Sequence, residues 1–330
     1  MTIHRRLLLT TALLATLATG CVQGESGAAP PEQGRLRLDY AYYNPLSLVI
    51  REQRWLENEL KGTEVTWVLS AGSNKANENL RAETIDVGST AGAAALQARA
   101  NGTPIRTIGV YTRPEWTALV VAKGSPVTQV TQLKGKKVAA TKGTDPYFFL
   151  LQALEEAGLA GTDVEVVNLQ HADGRTALER GDVDAWAGLD PLMAQSQVDA
   201  GSKLVYRNPA FNSYGFLNAR EAFLTEHPDL AQKVIDAYER ARAWVAAHPD
   251  EAVQLLAAEA KLAPEVASVV LKERTEAAIS PVPGPEQRAV LERILPTLVR
   301  ESQVRSESEA RGALDSLFEP RFAEKARASS

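Results

Sequence analysis

Residues 133–159 read LKGKKVAATKGTDPYFFLLQALEEAGL, a strand that breaks directly into a helix. The run 136–141 is β-branched and small and predicts a buried strand; Gly143-Thr144-Asp145-Pro146 then ends it. Pro146 suits a first helical position, and Thr144 or Asp145 suits the cap before it. The unpaired N–H groups of that first turn, with Gly143 allowing close backbone approach, are expected to face a cleft and to attract an anion.

Working outward, the same unit recurs on both sides. Strands are expected at 36–40, 64–69, 85–88 and 105–111, with helices at 45–60, 74–82 and 91–100 between them. A second series follows Thr117, with strands at 119–122, 136–141, 164–169, 183–188 and 203–206 and helices at 145–157, 173–180 and 191–199. Repeated strand–helix units imply mainly parallel sheets covered by helices. The halves echo each other in detail. LRAETIDVG at 80–88 and LERGDVDAW at 178–186 both run from a helix end through a tight turn to an Asp just inside a strand. Two lobes of like construction place a ligand cleft at the carboxyl edges of their strands. From about Phe223 the chain is expected to be helical, because Pro228, Pro249, Pro264 and Pro285 each open a helix with an acid behind them.

The chain has 330 residues, 45% hydrophobic and 23% charged, which suits a globular protein of two domains. Its net charge of −5 and the lack of a basic block exclude a nucleic-acid partner. At the N-terminus His4-Arg5-Arg6 precedes an apolar run, 7–18, that is too short to span a bilayer and ends in Leu17-Ala18-Thr19-Gly20-Cys21. That arrangement predicts an export signal over 1–20 and, because small residues precede the only cysteine, lipid on Cys21. Residues 21–34, rich in Gly, Ala, Pro, Glu and Gln, predict a flexible tether. Once Met1 and Cys21 are set aside, Met193 is the one remaining sulfur, which fits either sulfur thrift or compositional drift.

Catalysis is poorly provisioned. His227 and His248 each precede a helix-opening Pro, and only His171 lies near a strand end, so no nucleophilic triad, His/Cys metal cluster or cofactor site can be drawn. Asp145, Asp173 and Asp190 fall near strand ends, where capping is their default role. Anion binding is better provisioned, by small hydroxyl residues before helices at 70–74, 88–92 and 143–145. Arg113 is the candidate charged partner or a rim residue, and Tyr43, Trp116, Trp186, Phe211 and Tyr214 are candidates for an apolar lining.

Ile85-Asp86-Val87-Gly88-Ser89-Thr90, Leu133-Lys134-Gly135-Lys136-Lys137-Val138-Ala139, Lys142-Gly143-Thr144, Gly181-Asp182-Val183-Asp184-Ala185-Trp186 and Asp190-Pro191 resemble, in order and spacing, the ABC-transporter substrate-binding proteins of the aliphatic sulfonate, nitrate and taurine group. The resemblance implies a two-lobed periplasmic-binding-protein type II fold, with 35–116 and 213–330 in the first lobe and 117–212 in the second. It also implies two crossovers, hinge-like closure on a small organic anion, and delivery to an ABC permease and its ATPase. The family's binding positions fall on Ser89, Thr90, Gly143 and Thr144, then on Asn44, Ser73, Thr117 and Asp190. The family's usual Gly-Ser-Ser turn is here Gly143-Thr144-Asp145, which sets a carboxylate beside the expected anion. An aliphatic sulfonate is the expected ligand. Nitrate, taurine, a thiamine-precursor pyrimidine, or an enzyme on the same fold are the alternatives.

Overall fold

The computed structural model describes residues 34–326. The expected signal at 1–20, the lipidated Cys21 and all of the expected tether but Gly34 lie outside those residues.

Eleven strands are described: β1 (Gly34–Tyr40), β2 (Thr63–Leu69), β3 (Val87–Ala91), β4 (Ile105–Pro114), β5 (Leu119–Val121), β6 (Lys137–Ala140), β7 (Glu165–Asn168), β8 (Ala185–Ala187), β9 (Lys203–Tyr206), β10 (Gly215–Arg220) and β11 (Thr275–Glu276). They form a six-stranded sheet in the order β11-β4-β10-β3-β1-β2 and a five-stranded sheet in the order β7-β6-β8-β5-β9. The chain passes from the first sheet to the second between β4 and β5 and returns between β9 and β10. Seven helices belong to the alternating part: α1 (Pro45–Glu52), α2 (Trp55–Glu59), α3 (Ser73–Arg81), α4 (Gly92–Ala100), α5 (Asp145–Glu156), α6 (His171–Arg180) and α7 (Leu192–Asp199). After β10 come α8 (Glu221–Glu226), α9 (Pro228–Ala247), α10 (Pro249–Ala260), α11 (Pro264–Ser268), α12 (Pro285–Arg300) and α13 (Glu307–Asp315).

The echoed segments perform the same task in each sheet. Asp86 donates its N–H to the Arg37 carbonyl at 2.8 Å and accepts the Arg37 N–H on its carboxylate at 2.9 Å. Asp184 repeats this with Lys137, at 2.9 and 3.0 Å. Each Asp thereby clamps the register of a parallel strand pair just before the pair begins, where a slip would turn every side chain to the wrong face.

Three expectations need correction. The helix expected at 45–60 is two helices, because Arg54 adopts a left-handed conformation at φ 51° between them. The strand expected at 85–88 runs instead from Val87 to Ala91, its span set by antiparallel pairing with β10. β10 itself was not foreseen; six residues without alternation carry little signal, yet they fill the centre of the first sheet. Most strands of each sheet therefore run one way, with β10 and β11 antiparallel to the rest in the first sheet and β5 in the second.

Candidate functional site

Three helix starts converge between the sheets. α3 follows β2, α5 follows β6 and α6 follows β7, and none of the three carries a side-chain cap. A Cβ on Gly72, before α3, would lie 2.9 Å from His171 Nε2, at the start of α6. A Cβ on Gly143, before α5, would lie 3.6 Å from the Asn74 Cβ and from Gln97 Oε1. Gly143 has φ +77°, a turn that glycine makes without strain. Only a residue without a side chain permits the approach at Gly72. A groove of about 230 Å³ is walled by Asn74 and Gln97 on one side and Gly143 on the other. Each uncapped start presents unpaired N–H groups and about half a positive charge, so their meeting point favours an anion.

Buried polar atoms without partners cluster in the same region. Asn74 Oδ1 and His171 Nε2 have none, nor have the Thr117 and Tyr111 hydroxyls near the crossovers. The tautomer of His171 follows from its neighbour. The Thr141 hydroxyl gives its one proton to the Leu169 carbonyl at 2.7 Å and lies 3.1 Å from His171 Nδ1. Nδ1 must therefore carry hydrogen, which leaves a bare lone pair on Nε2. Burial pushes the imidazole down to about 3.

The expected site residues divide by how their groups are already used. Ser89 and Thr90 lie inside β3; the Ser89 N–H and hydroxyl both donate to Asp39, and the Thr90 hydroxyl donates to the Ala91 carbonyl and accepts from Asn218. The Thr144 hydroxyl donates to the Thr141 carbonyl at 2.6 Å. Asn44 caps α1 and donates to the Tyr238 hydroxyl. Ser73 accepts the Ala91 N–H, and Thr117 donates its N–H to Asn212 while its hydroxyl stays unpartnered. Gly143 lies on the contact between the sheets, as described.

The carboxylates serve the frame. Asp39 is fully buried and pushed up to about 7 by desolvation, against which the Ser89 and Ser70 groups pull. Asp190 is buried against Arg274, whose Nη1 lies 3.2 Å from both carboxylate oxygens, and it accepts the Ala194 N–H; desolvation still holds it at about 6. Asp145, also pushed by desolvation to about 6, accepts from Trp116 and Ser213 on the two crossovers. Asp173 is exposed in the first turn of α6. Arg113 is exposed, within 4.0 Å of Glu276. Trp186 is core, and Tyr43 meets Trp116 edge to face at 6.0 Å.

Sequence reasoning passed over Tyr111 and Arg274, reached Asn74 only as the end of the segment 70–74, and left His171 without a role. A signal for His171 existed, because Gln170 precedes α6 where a capping Ser, Thr, Asp or Asn would be ordinary. Among the described residues no group of three or more His, Cys, Asp or Glu could hold a metal.

Two α/β lobes linked by two crossovers, with uncapped helix starts opposed across the gap, define the two-lobed periplasmic binding protein fold. The chain belongs to the NMT1/THI5-like family, which matches residues 57–252. It is 30% identical over 271 residues, 82% of this chain and 83% of the other, to a relative from Escherichia coli (strain K12) named as an aliphatic sulfonates-binding protein. The alkanesulfonate-binding protein SsuA from Xanthomonas axonopodis pv. citri, bound to MOPS, superposes with a TM-score of 0.77 at 25% identity, covering 87% of this chain and 99% of that one. The periplasmic aliphatic sulphonate binding protein SsuA from Escherichia coli does so with a TM-score of 0.74 at 27% identity, covering 87% and 92%.

Proposed function

We propose that this protein is the exported substrate-binding component of an ABC importer, capturing an aliphatic sulfonate between its lobes and delivering it to a permease and its ATPase. The observation that carries the reading is the convergence of three uncapped helix starts on Gly72, Gly143 and His171. A sulfonate stays ionised at every physiological pH, so it is held by hydrogen donors and helix dipoles and needs no proton acceptor. The sulfonate-binding relatives supply the substrate class. Residues 35–116 and 213–330 act as one lobe and 117–212 as the other, closing as hinged bodies. The ligand is held by Ser73, Thr117, Gly143 and Ser70, with Ser89, Thr90 and Thr144 contributing only by exchanging their present partners. Lipid on Cys21 tethers the exported chain to the cell envelope, and the protein transforms nothing.

Calorimetric titration of the purified protein with ethanesulfonate, butanesulfonate, taurine and nitrate tests this. Saturable binding of an alkanesulfonate is expected, with nitrate weaker. Binding of nitrate alone, or of none of the four, overturns the sulfonate reading.

A further inference from the structure

His171 is a titratable group that the reading above leaves without work. Its ring is buried, Nδ1–H is fixed on Thr141, and Nε2 points without a partner at the contact between the lobes. The Thr141 hydroxyl bonds the ring, and a Cβ on Gly72 would meet both Asn74 Oδ1 and His171 Nε2, so none of the groups placed at this contact titrates. Charged residues nearby in sequence are directed elsewhere: Lys142 and Asp173 are exposed, and the Lys142 ammonium lies over the Tyr147 ring. Asp145 is bound to Trp116 and Ser213, and Asp190 to Arg274. Arg81 and Glu78 line the outer groove beside Gly143, and His171 is the buried ionisable nitrogen at the contact of Gly72 with α6, which burial keeps uncharged.

An anion placed there reverses the balance. It supplies the acceptor that Nε2–H lacks and the charge that favours imidazolium over imidazole. We propose that His171 binds the ligand's anionic group as an imidazolium, so that each captured anion brings one proton from solvent onto Nε2. Nδ1–H stays on Thr141 Oγ1, and no bond other than the new N–H forms. The inference rests on the anion-binding reading and deepens it: affinity becomes linked to pH although the ligand itself never titrates. A bound His171 with a pKa above its open-state value tightens binding as pH falls toward that lower value.

The test is calorimetry of the purified protein with ethanesulfonate at pH 7, in two sulfonate-free buffers of different ionisation enthalpy. The expected result is an uptake of between about 0.5 and 1 proton per ligand, since burial holds the unliganded ring at about 3, uncharged at pH 7, and the bound ring has to titrate at or above about 7 to carry the proton. Binding at pH 6 should be about ten-fold tighter than at pH 8. His171→Gln keeps a hydrogen donor without the charge; it should abolish the uptake and flatten the pH profile while still binding. Ethanesulfonate binding without proton uptake overturns this inference and leaves the sulfonate reading standing, as does an uptake unchanged in His171→Gln, which would assign the proton to a buried carboxylate. Failure of every sulfonate to bind overturns both.

Discussion

Asp145 receives both the N–H and the hydroxyl of Ser213, at 2.7 and 2.5 Å, and so binds the start of α5 to the crossover that returns to the first sheet. The other crossover is held by the same carboxylate, which accepts from Trp116 Nε1 at 2.9 Å. Ser213 in turn accepts the Ala93 N–H at the start of α4. The carboxylate that the sequence sets beside the expected anion is thus turned into the hinge, where three donors hold it.

Asp145→Asn leaves one good acceptor for three donors and turns an NH₂ toward N–H or O–H groups. The loss should be about 1.5–3 kcal/mol, the scale of hydrogen bonds to a charged partner. Urea unfolding followed by tryptophan fluorescence measures it. A midpoint equal to that of the parent protein would show that the crossovers are held by packing alone.

Stability should depend on pH in an unusual direction. Asp39, Asp145 and Asp190 are all pushed above the carboxylate range by burial, to about 7, 6 and 6. A folded pKa above the unfolded one contributes stability that is complete below the unfolded value and is lost as pH rises through the folded value. His171, depressed to about 3, opposes this, since its contribution is lost as pH falls below the unfolded value near 6.5. Three acids against one base leave a net gain of roughly 3 kcal/mol between pH 8 and 5. Paired carboxylates such as Asp86, held low by Arg37 and Arg220 against the cost of its burial, weaken the fold only in stronger acid. Urea midpoints should rise as pH falls from 8 to 5, and Asp39→Asn should flatten that rise. A midpoint that rises steadily to pH 8 would contradict the three assignments.

The sequence carried the alternating strands and helices because their apolar periods are long and bounded by Gly and Pro. The match between the segments at 80–88 and 178–186 even picked out Asp86 and Asp184, whose clamping of the strand register is seen only in three dimensions. β10 was invisible because a short strand buried on both faces has no alternation to betray it. The cleft was legible as loops and helix starts but not as individual donors. Whether Ser89 spends its hydroxyl on Asp39, or Thr144 on the Thr141 carbonyl, is fixed by partners 50 and 3 residues away, which one-dimensional patterns do not pair. Arg274 and Asp190, 84 residues apart, met for the same reason unannounced.

Thr117 separates binding from stability. Its buried hydroxyl has no partner, so replacing it by an apolar group of similar shape removes a desolvation cost and no bond. Thr117→Val should leave the urea midpoint unchanged or raise it by up to about 1 kcal/mol equivalent. Affinity for ethanesulfonate should fall about ten-fold or more, as befits a lost donor to a charged group. Unchanged affinity would place the ligand elsewhere. Ser89→Ala should do the reverse, costing stability through Asp39 with little direct effect on the ligand.

Gly72→Ala tests the contact between the lobes themselves. The Gly72 backbone is extended, at φ 170°, so alanine can adopt it without strain. Its Cβ would nonetheless lie 2.8 Å from Asn74 Oδ1 and 2.9 Å from His171 Nε2. Asn74 can swing aside, whereas the His171 ring is pinned on Thr141 and cannot yield without breaking that bond. The methyl group therefore falls on the approach of the second lobe and leaves the first lobe's own packing intact. Unfolding free energy should change by less than about 1 kcal/mol, ligand affinity should drop, and small-angle scattering at saturating ethanesulfonate should give a larger radius of gyration than the parent. Adding His171→Ala makes room for the methyl and should restore the compact radius while affinity stays low, because the ring is needed for the anion. A Gly72→Ala protein that closes as tightly as the parent would show that Gly72 and His171 do not meet in the ligand-bound state.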